Sequence, residues 1–120
     1  MILYLASPYT DNEPALEIFR YVCACQAAAA LMQQGHTVFS PIAHSHGIAR
    51  FIQDHSHEFW MEQDLPFLDF ADKMVVLTLP GWEKSKGIKR ELEYAKDKGI
   101  PVEFKSMDDI QNPNPRCLGA

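Results

Sequence analysis

Met74-Val75-Val76-Leu77-Thr78-Leu79, closed by Pro80-Gly81, is followed by a helical pattern from about Ser85 to Lys98 that stops at Gly99. A continuous, β-branched apolar run bounded by turn residues is what a strand buried on both faces requires, and such strands belong to parallel sheets. Upstream, Ile2 to Ala6 is a second run of this kind, halted at Ser7-Pro8, where proline removes a ladder donor. From Pro14 to Gln34, apolar residues recur at Ile18, Val22, Cys25, Ala29 and Met32, the spacing of one helix face, with Gly35 suited to the left-handed C-terminal position. Thr37-Val38-Phe39 before Pro41 gives another strand, and Pro101 to Phe104 a last one. Strands alternating with helices predict a single-domain doubly wound α/β sheet of four to five parallel strands, order 2-1-3-4, with helices on both faces.

Two segments resist this pattern. Residues 42 to 57 carry four histidines that interrupt any period, and they are expected to form a loop with a helical turn. Phe59 to Phe70 is helical, but Pro66 should kink or restart it, with Asp64 placed to cap the restarted turn. The domain is expected over 1–105. Residues 106–120 form a tail whose Asn112-Pro113-Asn114-Pro115 cannot continue a helix.

Composition narrows the function. The chain has 120 residues, 47% of them hydrophobic, enough for one core. Its formal net charge of −5, with basic residues scattered, does not offer the positive face that duplex nucleic acid needs. Cys23, Cys25 and Cys117 are odd in number, and the first two point apart on a helix, which argues against a disulfide framework or a metal knuckle. The apolar start without a basic leader suggests neither secretion nor membrane insertion, so the expectation is a cytoplasmic protein.

The chemistry-bearing residues cluster at strand ends. Ligands of doubly wound sheets sit where the winding reverses, so Ser7-Pro8-Tyr9 should face the segment Gly81 to Glu91. On the helix from Ser85, Glu91 falls beside the inward stripe of Ile88, Leu92 and Ala95, whereas Lys89 and Glu93 point to water. A carboxylate next to apolar surface is either paired, with Lys84 for instance, or kept for chemistry. Ser85 and Gly87 open that helix, where Ser85 either caps it or holds a phosphate or sugar hydroxyl. Asp64 is either a cap or a second carboxyl near the site. His44, His46, His55 and His57 form two His-x-His pairs; without cysteine or a Glu-x-x-His pattern, contact with a base or phosphate is favoured over a metal.

These residues, in this order, resemble the nucleoside 2-deoxyribosyltransferase superfamily, including its 2'-deoxynucleoside 5'-monophosphate N-glycosidases and small bacterial and phage relatives. The match runs over residues 1 to about 105: Tyr4-Leu5-Ala6-Ser7-Pro8-Tyr9, Gly35-His36-Thr37-Val38, Asp64-Leu65, Ala71-Asp72, Gly81-Trp82, and Ser85-x-Gly87-x-x-x-Glu91. The resemblance implies Glu91 as the nucleophile on the anomeric carbon, Asp64 as the group that assists base departure, and Tyr4 as the residue that places the nucleophile. Substrate contacts are expected from Ser7, Pro8, Tyr9, His44, His46, Trp82, Ser85 and Gly87. Neither cofactor nor metal is implied, and the assembly is a homodimer or larger. Ser85 stands where transferases tend to carry aspartate and the monophosphate hydrolases serine, which favours hydrolysis and a phosphorylated substrate. The first loop departs from the hydrolases, having Ser7-Pro8-Tyr9-Thr10 in place of a glycine- and arginine-rich segment. The expected activity is cleavage of the N-glycosidic bond of a nucleoside or its 5'-monophosphate. The alternative is a binding module that uses the same cleft for a nucleotide or nucleotide-derived signal without turnover.

Overall fold

The computed structural model describes residues 1–113. Its elements in chain order are β1 (Ile2–Ala6), α1 (Pro14–Gln33), β2 (Thr37–Phe39), α2 (Pro41–Ala49), α3 (His57–Leu68), β3 (Lys73–Leu77), a 3-10 turn at Trp82–Lys84, α4 (Lys86–Lys98), β4 (Val102–Lys105) and α5 (Met107–Gln111). The four strands are all parallel, in the order β2-β1-β3-β4. The doubly wound sheet read from the alternation of strands and helices is therefore the fold.

Side-chain alternation along β1 and β3 splits the core into two layers. Leu3, Leu5, Val75 and Leu77 face α1 and α5, meeting Cys23, Ala27, Ala28, Leu31 and Ile110. Tyr4, Ala6, Met74 and Val76 face α3 and α4, meeting Leu65, Leu68, Ile88 and Ala95. Tyr4 is thereby planted in the middle of the sheet, on the side that also carries α4.

Local expectations are corrected at three helices, α1, α2 and α3. On α1 the buried stripe is Cys23, Ala24, Ala27, Ala28 and Leu31, and the stripe of larger residues points outward, with Ile18 55% and Met32 52% exposed. Alanines let the helix backbone approach the sheet closely, so side-chain size is the wrong guide to its inner face. α1 is also long and apolar enough by composition to cross a membrane, but this alanine face is packed on the sheet as in a core helix. Residues 41–49 are a regular helix, not a loop: Ser40 caps it by accepting from the Ala43 amide at 3.2 Å, and Pro41 occupies its first turn. In α3 the helix runs through Pro66 without restarting, capped instead by Ser56. Glu62 and Pro66 lie on its exposed side, where water can take the carbonyl that proline leaves without a donor. The segment assigned to the tail begins with α5, whose capping box at Ser106 and Asp109 holds Ile110 in the core at 1% exposure. Asn114-Pro115 and Cys117 lie outside the described residues.

Arg20 ties the loops at the carboxyl ends of β1 and β3. It is 7% exposed and donates to the carbonyls of Tyr9 (3.3 Å), Thr10 (3.1 Å) and Pro80 (3.2 Å). A Cβ at Gly81, whose φ is +91°, would stand 2.7 Å from Arg20 Nη2, so glycine is required there both by conformation and by space.

Candidate active site

Glu91 is delivered by the inner face of α4. The Ser85 hydroxyl accepts from the Ile88 amide at 3.2 Å and sets where the helix begins, and Gly99, left-handed at φ 69°, ends it. Within the second turn, Glu91 is 4% exposed, while Glu93 and Lys89 face water as expected. Its partner is not Lys84. The hydroxyl of Tyr4 donates to Glu91 Oε2 in a very short contact, and among the described residues the ion pairs are those of Glu103 with Lys73 and Lys105. The other carboxylate oxygen, Oε1, lies over Gly87, 3.9 Å from where a Cβ would be, with Met61 Cε nearby on the same side.

Asp64 joins this pair from α3, inside the helix and 6% exposed, and not as a cap. Burial pushes its carboxyl up to about 7. Burial likewise pushes Glu91 up to about 8, against the lowering effect of the Tyr4 hydrogen bond and helped by the charge of Asp64. Tyr4 is raised well above the ordinary phenol, first by burial, then by the charges of Glu91 and Asp64. Tyr4 therefore stays a neutral donor, and the two carboxyls, coupled through their charges, titrate together in the neutral range.

Beyond Asp64, α2 and α3 flank a partly open cavity of about 230 Å³ lined by His44, Ser45, Phe59, Trp60, Gln63, Asp64 and Phe67 among others. It reaches the carboxyl pair through Asp64. Trp60, Gln63, Asp64 and Phe67 are spaced i, i+3, i+4 and i+7, one face of α3. That spacing is present in the sequence, but Pro66 in its midst suggests a break that the helix does not make.

The remaining candidates divide. Ser85 and Gly87 lie with Glu91, though the Ser85 oxygen is engaged as the cap. Ser7 and Pro8 are buried, the Ser7 hydroxyl without a partner. Tyr9 and His46 form a separate group: the Tyr9 hydroxyl is 2.7 Å from His46 Nδ1, and the His46 ring stacks on Tyr21 at 3.9 Å. Trp82 packs by Phe104 at 5.3 Å, toward β4. His44 and His46 diverge on α2, one to the cavity and Phe39, the other to Tyr9 and Tyr21. Among the described residues no three His, Cys, Asp or Glu side chains gather as a metal site.

A family model described as a domain of unknown function, DUF1937, matches residues 1–107. The chain belongs to the DUF1937 family. No curated protein matches it. Among solved structures, this DUF1937 chain is similar to a 2-deoxyribosyltransferase from the psychrotolerant bacterium Bacillus psychrosaccharolyticus. The two are 22% identical with a TM-score of 0.68, over 98% of this chain and 96% of that one. At that identity the likeness establishes a shared fold.

Proposed function

We propose that this protein cleaves the N-glycosidic bond of a nucleoside or nucleoside 5'-monophosphate through a glycosyl ester on Glu91, with water as the favoured acceptor. The observation that carries the reading is the buried carboxylate pair: Glu91 with one oxygen held by Tyr4 and the other over the bare Cα of Gly87, and Asp64 beside it. The fold it shares with a 2-deoxyribosyltransferase supports the same chemistry.

Glu91 Oε1 attacks the anomeric carbon as the bond to the base breaks, and the charge that develops on the sugar is stabilised by the carboxylate in a site with little water. Asp64, neutral, gives its proton to the departing base, which takes up the bond's electron pair. The base then leaves on the Asp64 side, into the cavity. In the second half, ionised Asp64 takes a proton from water, which opens the ester at the anomeric carbon and returns Glu91 as a carboxylate. Tyr4 keeps the attacking carboxylate in one rotamer throughout. The test is incubation with a panel of nucleosides and 5'-monophosphates, followed by chromatography. Free base, formed in chelator-treated buffer, is expected; binding without base release would leave a nucleotide-sequestering module in its place, and chelator-sensitive release a metal hydrolase.

The working form is proposed to be a homodimer or larger. Ile18, Phe19 and Val22 on α1, and Phe70 after α3 on the other face of the sheet, are all more than two-fifths exposed, apolar side chains of the kind that closed assemblies cover. Light scattering at micromolar concentration is expected to give at least twice the 13.6 kDa of one chain; a monomer mass would count against it.

A further inference from the structure

We propose that the cavity between α2 and α3 selects a purine-sized base and that the Gln63 amide reads its hydrogen-bonding edge. This rests on the N-glycosidase reading for the placement of a base beside Asp64, and goes beyond it in naming the base class and the residue that discriminates.

Size is the first argument. A cavity of about 150 Å³ lined by apolar side chains holds a single six-membered ring. The space here is about 230 Å³, half as large again, which suits two fused rings and leaves a single pyrimidine ring loosely held. Its walls suit a flat aromatic guest: Phe59 and Trp60 pack edge to face at 5.0 Å, and Phe67 stacks on Phe39 at 4.0 Å, so the rings are braced by one another.

The second argument comes from the polar groups that line the same space. The Ser45 hydroxyl is turned back to the Pro41 carbonyl. Asp64 is the proton donor at the bond that breaks. His44 leans on Phe39, with ring centroids 5.7 Å apart, and its donor and acceptor nitrogens lie on different sides of the ring, so it turns only one of them to a given edge of a base. Gln63 alone presents a donor and an acceptor side by side, the pattern that pairs with the adjacent ring nitrogen and exocyclic group of a purine. It stands one residue before Asp64 on the same face of α3 and is exposed, where the outer edge of a base seated against Asp64 would meet it.

The test is calorimetric binding of free adenine, unsubstituted purine, cytosine and uracil to the wild-type protein and to Gln63→Leu, which nearly keeps the side chain's length at an exposed position and removes its amide. The wild type is expected to bind adenine at least tenfold more tightly than either pyrimidine. Gln63→Leu is expected to lose tenfold or more for adenine and little for purine, which has no exocyclic group to pair. Equal binding of pyrimidines, or equal losses for adenine and purine, would overturn the proposal. Base release from nucleosides is scored separately: release without purine preference overturns this inference and leaves the N-glycosidase reading standing. Purine-selective, Gln63-dependent binding without any release upholds the base site and removes that reading.

Discussion

Glu91→Gln is expected to lower base release by at least two orders of magnitude and, at the same time, to make the protein more stable at alkaline pH. The loss follows because an amide cannot form the glycosyl ester, whereas the amide oxygen can still accept the Tyr4 hydrogen bond, so the geometry survives. The gain follows from burial. In the unfolded chain Glu91 ionises in the ordinary range, near 4.5, and in the folded chain at about 8. The folded state thus binds the proton more tightly. That contribution is fully present below the unfolded value, declines as pH rises between the two, and is lost once pH passes about 8. Each unit of difference corresponds to about 1.4 kcal/mol, so removing the group should stabilise the fold by a few kcal/mol at pH 8.5 and hardly at pH 4.5. Thermal melts of both proteins across that range should diverge with rising pH. Parallel melting curves would show that Glu91 is not held against its own ionisation, and retained turnover would remove it as the nucleophile. Glu93→Gln, on the exposed side of α4, should be nearly silent in both measurements.

That a carboxylate is buried on α4 was legible in the sequence because the helix is strongly two-sided: Ile88, Leu92 and Ala95 mark the inner stripe and Glu91 falls beside it. Strand order was legible for a related reason, since continuous apolar strands joined by helices leave few ways to wind a sheet. The inner face of α1 was not. Its pattern is apolar nearly all round, so periodicity could not distinguish the alanines that touch the sheet from the larger residues that face out. α2 was hidden because its polar histidines broke the period, although the helix is set by Ser40 and Pro41 at its start. The cap reading of Asp64 rested on a helix restart at Pro66, and the residue instead lies buried within an unbroken α3. A proline in a helix removes one hydrogen bond and crowds the carbonyl four residues back; at Pro66 both effects fall on the exposed side of α3, and the helix continues. No pattern along the chain relates Tyr4 to Glu91, 87 residues apart; that contact comes from β1 lying in the middle of the sheet, and only the family resemblance anticipated it.

Asp64→Asn is expected to reduce turnover of ordinary nucleosides by about two to four orders of magnitude, yet to spare a substrate whose base leaves without protonation. Since Asp64 caps nothing and lies buried within α3, a loss of activity cannot be assigned to a lost helix cap. The carboxyl pair makes the pH dependence specific. Burial raises both Asp64 and Glu91 into the neutral range, so the pair gives up its protons there in coupled steps. The productive form is the singly protonated pair with Glu91 ionised and Asp64 protonated. Positive charge developing on the sugar in the transition state favours an ionised Glu91. The wild-type rate should therefore trace a bell between about pH 7 and pH 8, its acid limb from protonation of the pair and its alkaline limb from loss of the last proton. Asparagine removes that last proton and also the negative charge that helps hold Glu91 up. The alkaline limb should vanish, leaving a rate that rises as Glu91 ionises and then stays level. On the activated substrate Asp64→Asn should then approach the wild-type rate, while Glu91→Gln stays inactive. If both variants are equally inactive on that substrate, Asp64 serves to hold the site in place and does not donate the proton.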